Sequence, residues 1–210
     1  MHLTHFIIDD FVGDPIAVRN HALSLTYPPR PEGVNYPGRN ADKALAFPGV
    51  EEMVSSIVHE PLKPVPAPRS SHGIPRLAKA GDTSSSHVHI DNFHWSGILY
   101  LTPDEHCQGG THFFKHNPTG WDMAPVWPGM AEKAGYADAK TAMTEILSQD
   151  IYDTSKWTET MMVPMKFNRL VLFRGYLWHD AGVSFGTEPE NARLIIPLFF
   201  ANPNLQPQQA

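Results

Sequence analysis

Twenty prolines and 15 glycines are spread along the whole of this chain, and they leave little room for long helices. Proline removes a backbone donor and glycine weakens helix and strand alike, so both end elements more often than they continue them. The pattern therefore predicts many short strands and turns. At 210 residues and 41% apolar, the chain can bury one good core, and a single domain over residues 1–210 is expected.

Phe6 to Phe11 reads as a strand. A helix should follow Gly13: Asp14 can cap it, Pro15 suits its first turn, and Ile16, Val18, Ala22 and Leu23 supply a face. Residues 27–48, rich in Pro, Gly and Asn, read as an extended loop. A second helix is expected over about Val50 to His59, with Glu51 and Glu52 at its positive end, and then an extended connector, Pro61 to Pro68. From there the pattern turns to strands, at Ile74–Ala80, His87–Asp91, Ser96–Thr102, Thr111–Lys115, Thr158–Lys166, Leu170–Phe173 and Leu194–Phe200. A turn is expected at Asn168-Arg169. An insertion over about residues 117–153, with a helix near Ala137 to Leu147, interrupts this rhythm. The expected fold is mainly β, a double-stranded β-helix (jelly-roll) with N-terminal helices and a partly helical insertion.

Charge and cysteine content narrow the function classes. Sixteen Lys+Arg against 22 Asp+Glu give a net charge of −6 with no basic run, so nucleic acid is not an expected partner. Cys107 is the one cysteine, which excludes an intramolecular disulfide and suits a reducing compartment. Met1 to Phe6 lacks the charged and apolar regions of a signal peptide, and no apolar stretch approaches the roughly 20 residues that span a bilayer. A soluble, cytoplasmic protein without a membrane partner is expected, its oligomeric state open.

The chemistry is concentrated in His89-Ile90-Asp91. In a strand, side chains two apart share a face, so an imidazole and a carboxylate would stand together with Val88 and Ile90 turned to the apolar layer behind. His179 closes a later strand-like run that starts at Arg169. Two His and one carboxylate form the facial triad that holds Fe(II) and leaves coordination positions open. A solvated strand end with a hydrogen-bonded His would show the same tripeptide, so the spacing alone decides nothing.

The order of the surrounding elements resembles the prolyl-4-hydroxylase-like branch of the Fe(II)- and 2-oxoglutarate-dependent oxygenases. The family pattern of His-x-Asp, a strand ending Tyr-Leu-Asn, and Gly-Gly-x-x-x-Phe is matched by His89-Ile90-Asp91, Tyr100-Leu101-Thr102 and Gly109-Gly110-Thr111-His112-Phe113-Phe114. The later half, with its strand, distal His and final strand opening on a basic residue, is matched by Asn168 to Phe173, His179, and Ala192-Arg193 to Phe200. The resemblance implies that His89, Asp91 and His179 are the metal ligands and catalytic residues. It also implies that Arg193, helped by the Tyr100 hydroxyl, binds the far carboxylate of 2-oxoglutarate. The implied activity is dioxygen-dependent hydroxylation of a C–H bond in a small molecule, amino acid or peptide side chain. Halogenation is disfavoured because Asp91 is present.

Two departures stand out. Arg193 follows His179 by 14 residues, so the loop from Gly182 to Asn191 must bulge outward, and Thr102 stands where Asn is common. Two alternatives stay open: a cupin-like metalloenzyme that needs no 2-oxoglutarate, and a non-catalytic jelly-roll binding module. His87 is expected beside His89 if the strand is regular. His94, His106, His112 and His116 crowd the same region without a zinc spacing. Trp95, Trp121, Trp127 and Trp178 could line a pocket or fill the core.

Overall fold

A computed structural model describes residues 3–34, 36–84 and 88–205. Its elements run β1 (His5–Ile8), α1 (Pro15–Ser24), β2 (Arg39–Asn40), α2 (Val50–Val58), β3 (Lys63–Pro64), β4 (Arg76–Ala78), β5 (Trp95–Tyr100), β6 (Gly110–His116), α3 (Met130–Lys133), α4 (Ala139–Gln149), β7 (Trp157–Pro164), β8 (Leu170–Phe173), β9 (His179–Asp180) and β10 (Arg193–Ala201). Asp14 caps α1 as expected, its side chain accepting from the Ala17 amide at 3.0 Å.

The strands form two antiparallel sheets. The larger has seven strands in the order β1-β8-β5-β10-β4-β2, with β3 also on β10; the smaller is β7-β6-β9. This is the jelly-roll architecture the strand pattern predicts, with its helices and insertion.

The central strands show how the alternation of side chains divides two cores. Leu170 and Leu172 of β8, Leu99 of β5, and Leu194, Ile196 and Leu198 of β10 pack under α1 and α2, against Ala22, Val54 and Val58. The intervening residues, Val171, Phe173, Tyr100 and Ile195, face the smaller sheet and meet Phe113 and Val163. Burying both faces explains why these strands are almost continuously apolar. Arg193 falls in the inward set of β10, so it enters the space between the sheets.

Residues 39–40 and 63–64, expected as loop and connector, pair as β2 and β3 with β4 and β10, and two of the expected strands differ markedly. The first ends at Ile8, because Phe11 and Val12 leave the ladder to bond Asn168, which takes the left-handed turn at φ 59° that the Asn168-Arg169 turn requires. His87–Asp91 is not a regular strand: among the described residues His89 makes one isolated bridge, and His87 lies outside them.

Candidate metal centre

One residue pair builds most of the site. The His89 amide donates to the His179 carbonyl at 2.9 Å and the His179 amide donates back at 3.0 Å, so the two residues are directly opposed. Their rings lie 4.3 Å apart, centroid to centroid. Asp91 is drawn in by a second contact, its amide donating to the Gly175 carbonyl at 2.8 Å. Gly175 has to be glycine here: a Cβ would lie 2.2 Å from the Phe93 carbonyl oxygen and 2.8 Å from that of Asp91.

The result is a cluster of two imidazoles and a carboxylate whose ligand atoms lie within 4.8 Å of one another. His179 Nδ1 is 2.8 Å from the Leu177 carbonyl, which can only accept, so Nδ1 carries the hydrogen and Nε2 faces Asp91 Oδ2 at 3.4 Å. Ser96 Oγ donates to the same Asp91 oxygen at 2.7 Å. Burial pushes the Asp91 carboxyl up, but His179, His89 and Ser96 outweigh it and hold the group at about 2. Burial likewise opposes a charged His179, and the adjacent Asp91 overcomes it and raises that pKa. Two imidazole nitrogens and a carboxylate oxygen this close together suit a divalent ion with N,N,O ligands.

The three groups open into a cavity of about 360 Å³. Its floor is the inward face of β10 and β5, with Ile195, Pro197, Phe199 and Ile98. At one end stands Arg193, 2% exposed, with no ion pair among the described residues and its Nε lacking any hydrogen-bond partner. Burial pulls its pKa down, against weaker opposing pulls from Tyr100 and Asp180. An unpaired, buried guanidinium is costly, and an acid from solution is the simplest relief. Thr111 lines the cavity, and Tyr100 stands behind it, its hydroxyl 2.6 Å from Thr111 Oγ1. The sequence reading missed Thr111, although it stands beside the quoted Gly109-Gly110 pair. Thr102, where the resembled family has Asn, is a clamp: its hydroxyl donates to the Ala192 carbonyl and accepts from the Leu194 amide, both at 2.9 Å, on either side of Arg193.

The sequence matches a family of unknown function, DUF6445, over residues 2–200. The chain belongs to that family. No curated protein matches it. Its fold is similar to that of AviO1 from Streptomyces viridochromogenes Tue57, with a TM-score of 0.53 and 15% identity over 97% of this chain and 92% of AviO1. HygX from Streptomyces hygroscopicus, solved with nickel and 2-oxoglutarate bound, gives 0.51 and 10% identity over 97% and 85%. SnoK from nogalamycin biosynthesis, a non-heme alpha-ketoglutarate-dependent carbocyclase, gives 0.50 and 13% over 94% and 79%. At these identities the likeness is one of fold.

In this DUF6445 chain the remaining candidates disperse. His94 joins Glu60 and Arg174, His112 bonds Glu159 at 2.8 Å, and His116 bridges Thr119 at 2.9 Å and Asp150 at 2.8 Å. Among the described residues His89, Asp91 and His179 are the one group of three with metal-binding geometry. Trp95 and Trp178 are core, Trp121 is half-buried and Trp127 is exposed. Gly182, Val183 and Ser184 line the cavity, so the start of the 182–191 loop walls the site as well as reaching outward. Gly110, at the close approach the Gly-Gly pair suggests, is packed so that a Cβ would lie 1.9 Å from the Val163 carbonyl oxygen. Arg76 also lines the cavity, and nothing in the sequence reading singled it out. The insertion has a wall of its own: Ala124, Val126 and Met143 line a second cavity of about 520 Å³ that reaches the other side of Asp91. Among the described residues no helix is long and apolar enough to cross a membrane.

Proposed function

We propose that this protein is an Fe(II)- and 2-oxoglutarate-dependent dioxygenase that hydroxylates a C–H bond of a small molecule, amino acid or peptide side chain. The observation that carries the reading is Arg193, buried and without an ion pair among the described residues, in the same cavity as two imidazoles and a carboxylate. A dicarboxylate cosubstrate chelated at the metal would supply the counter-charge that Arg193 lacks among the described residues. The fold shared with HygX, solved with 2-oxoglutarate, and with the alpha-ketoglutarate-dependent SnoK supports it. The order of His89, Asp91, Gly109-Gly110, His179 and Arg193 further supports the prolyl-4-hydroxylase-like branch, within one domain carrying the insertion at 117–153. A single cysteine, Cys107, with no disulfide framework, supports a cytoplasmic setting.

In this reading His89, Asp91 and His179 would hold the iron and Arg193 would fork onto the far carboxylate of the cosubstrate, with Thr111 adding a hydrogen bond and the Tyr100 hydroxyl supporting that carboxylate through Thr111. Iron with 2-oxoglutarate and dioxygen supplies the oxidising power, with succinate and carbon dioxide as coproducts. The Leu177 carbonyl keeps the proton on His179 Nδ1, so Nε2 is always presented to the metal. The Ser96 hydroxyl orients Asp91 by donating to its Oδ2. Ile98, Ile195, Pro197 and Phe199 keep the cavity floor apolar and restrict water beside a reactive oxidant.

The test is anaerobic absorption spectroscopy of the apoprotein titrated with Fe(II) and then 2-oxoglutarate. A visible metal-to-ligand charge-transfer band is expected in wild type, absent in His179→Ala and weakened in Arg193→Ala. Iron binding with no band on adding 2-oxoglutarate would refute the cosubstrate assignment.

A further inference from the structure

The cavity holds a second guanidinium, Arg76. It sits on β4 opposite Ile195, two ladder positions from the Arg193–Ala78 pair, and so shares a wall with the site. Its Nε donates to Asn40 Oδ1 at 2.8 Å and its Nη2 to Ser71 Oγ at 3.3 Å. The Tyr36 ring covers it, with the guanidinium carbon 4.0 Å from the ring centroid. All three of these partners are neutral, and Nη1 has no hydrogen bond among the described residues. Burial and the nearby Arg193 act against the charge and Asp91 acts in its favour, with no ion pair formed among the described residues. The acids on the cavity wall make their hydrogen bonds elsewhere. Asp82 accepts from the Lys79 amide and Asp180 from the Gly182 amide, both at 2.8 Å, while Asp91 belongs to the metal centre.

Arg193 accounts for one carboxylate of a dicarboxylate cosubstrate, and chelation at the metal accounts for the other. Arg76 is left over. Its partner Asn40 lies directly opposite it on β2 and Tyr36 just before that strand, and Tyr36, Pro37 and residues 81–84 line the same cavity. The floor of the same cavity is apolar, with Ile195, Pro197 and Phe199, which suits a hydrocarbon segment.

We propose that Arg76 binds the acid group of the substrate, so that the cavity takes a small molecule bearing a carboxylate, with that carboxylate on Arg76 and its apolar part turned toward His89, Asp91 and His179. The inference rests on reading the cavity as an iron and 2-oxoglutarate site, and adds the class of substrate. Tyr36, Asn40 and Ser71 are positioning residues for Arg76.

The experiment is ligand-observed NMR on protein loaded with Zn(II) and saturated with 2-oxoglutarate. One mixture contains N-acetyl amino acids as free acids, and a second contains the same compounds as primary amides. Wild type should bind one or more acids at least about tenfold more tightly than their amides, the worth of a charge-assisted contact. Arg76→Gln should lose that preference and Arg76→Lys should keep part of it. The signals of 2-oxoglutarate provide the control: its affinity should fall in Arg193→Gln. An equal loss in Arg76→Gln would mean that both arginines serve the cosubstrate, which overturns the inference. Retention of no acid, or of acids and amides alike, also overturns it while leaving the cosubstrate reading intact. Failure of wild type to bind 2-oxoglutarate at all refutes that reading itself, and this one with it. Should Arg76→Gln fail to fold, the acid–amide comparison on wild type still decides.

Discussion

Gly175→Ala should break the metal centre from outside it. The added Cβ would meet the Phe93 carbonyl oxygen at 2.2 Å and the Asp91 carbonyl oxygen at 2.8 Å, where ordinary contact begins at 3.4 Å. Both obstacles are backbone, so no side-chain rotation relieves them. Clearing the closer one requires the 91–93 segment to move by about 1 Å, and metal–ligand distances tolerate only about 0.2 Å. The Asp91 amide bond to the Gly175 carbonyl, 2.8 Å long, would be stretched or lost by the same movement. The expected cost is about 2–4 kcal/mol of stability from overpacking and one compromised hydrogen bond. Metal affinity should fall about 10–100-fold or more, the scale on which supporting contacts to ligands act. Gly13→Ala is the control, because a Cβ there meets nothing within 4 Å and leaves the site alone. Urea unfolding of the apoprotein and an anaerobic Fe(II) titration measure the two effects separately. Wild-type metal affinity in Gly175→Ala would show that Gly175 does not set the position of Asp91, and the account of the site would need another anchor.

Arg193→Met should stabilise the apoprotein by about 1–3 kcal/mol, because an unpaired buried guanidinium is replaced by an apolar chain of similar volume. The rise in Tm that 2-oxoglutarate gives the metal-loaded wild type should vanish in the same variant, and a destabilised apoprotein would contradict the reading. A pH dependence follows from Glu60. Burial works against its ionisation, but hydrogen bonds and charge from Arg174 and His94 prevail and hold it at about 2 against an ordinary 4.5. The unfolded state therefore binds more protons between those values, so this stabilisation is complete above pH 4.5 and is lost as pH falls toward 2. Unfolding free energy followed by denaturant titration across that range should flatten by about 1–2 kcal/mol in Glu60→Gln, after allowance for solvent screening. An unchanged slope would remove Glu60 from the acid sensitivity.

Legibility in the sequence follows the range of the interactions concerned. Leu170–Phe173 and the alternation of β10 are readable because burial on both faces writes itself into consecutive residues. The α1 cap is readable for the same local reason, since Asp14 and Ala17 lie within one turn. The metal centre is half legible. His89-Ile90-Asp91 announces a paired imidazole and carboxylate, but that segment lacks the ladder expected of it and depends on two distant anchors. One is the backbone of His179 and the other is Gly175, whose requirement for glycine is visible only in the close approach of the 91–93 carbonyls. Arg174 illustrates the same limit, because its partner Glu60 comes from beyond the end of α2.

Arg76 is the hardest case, and it shows what kind of information the chain hides. It falls within the expected Ile74–Ala80 strand, where an arginine would ordinarily extend its charge to solvent. Whether it does so depends on the segment holding Tyr36 and Asn40, and that segment has no periodicity from which its path could be read. The two arginines differ in the same way. Arg193 heads an otherwise apolar strand, so its charge conflicts with its neighbours in sequence and attracts notice. The conflict at Arg76 is with residues that are neighbours only in space. A site whose charges are displayed against local context can thus be found by pattern, whereas one assembled from neutral partners on separate segments becomes visible only when the cavity they enclose is seen.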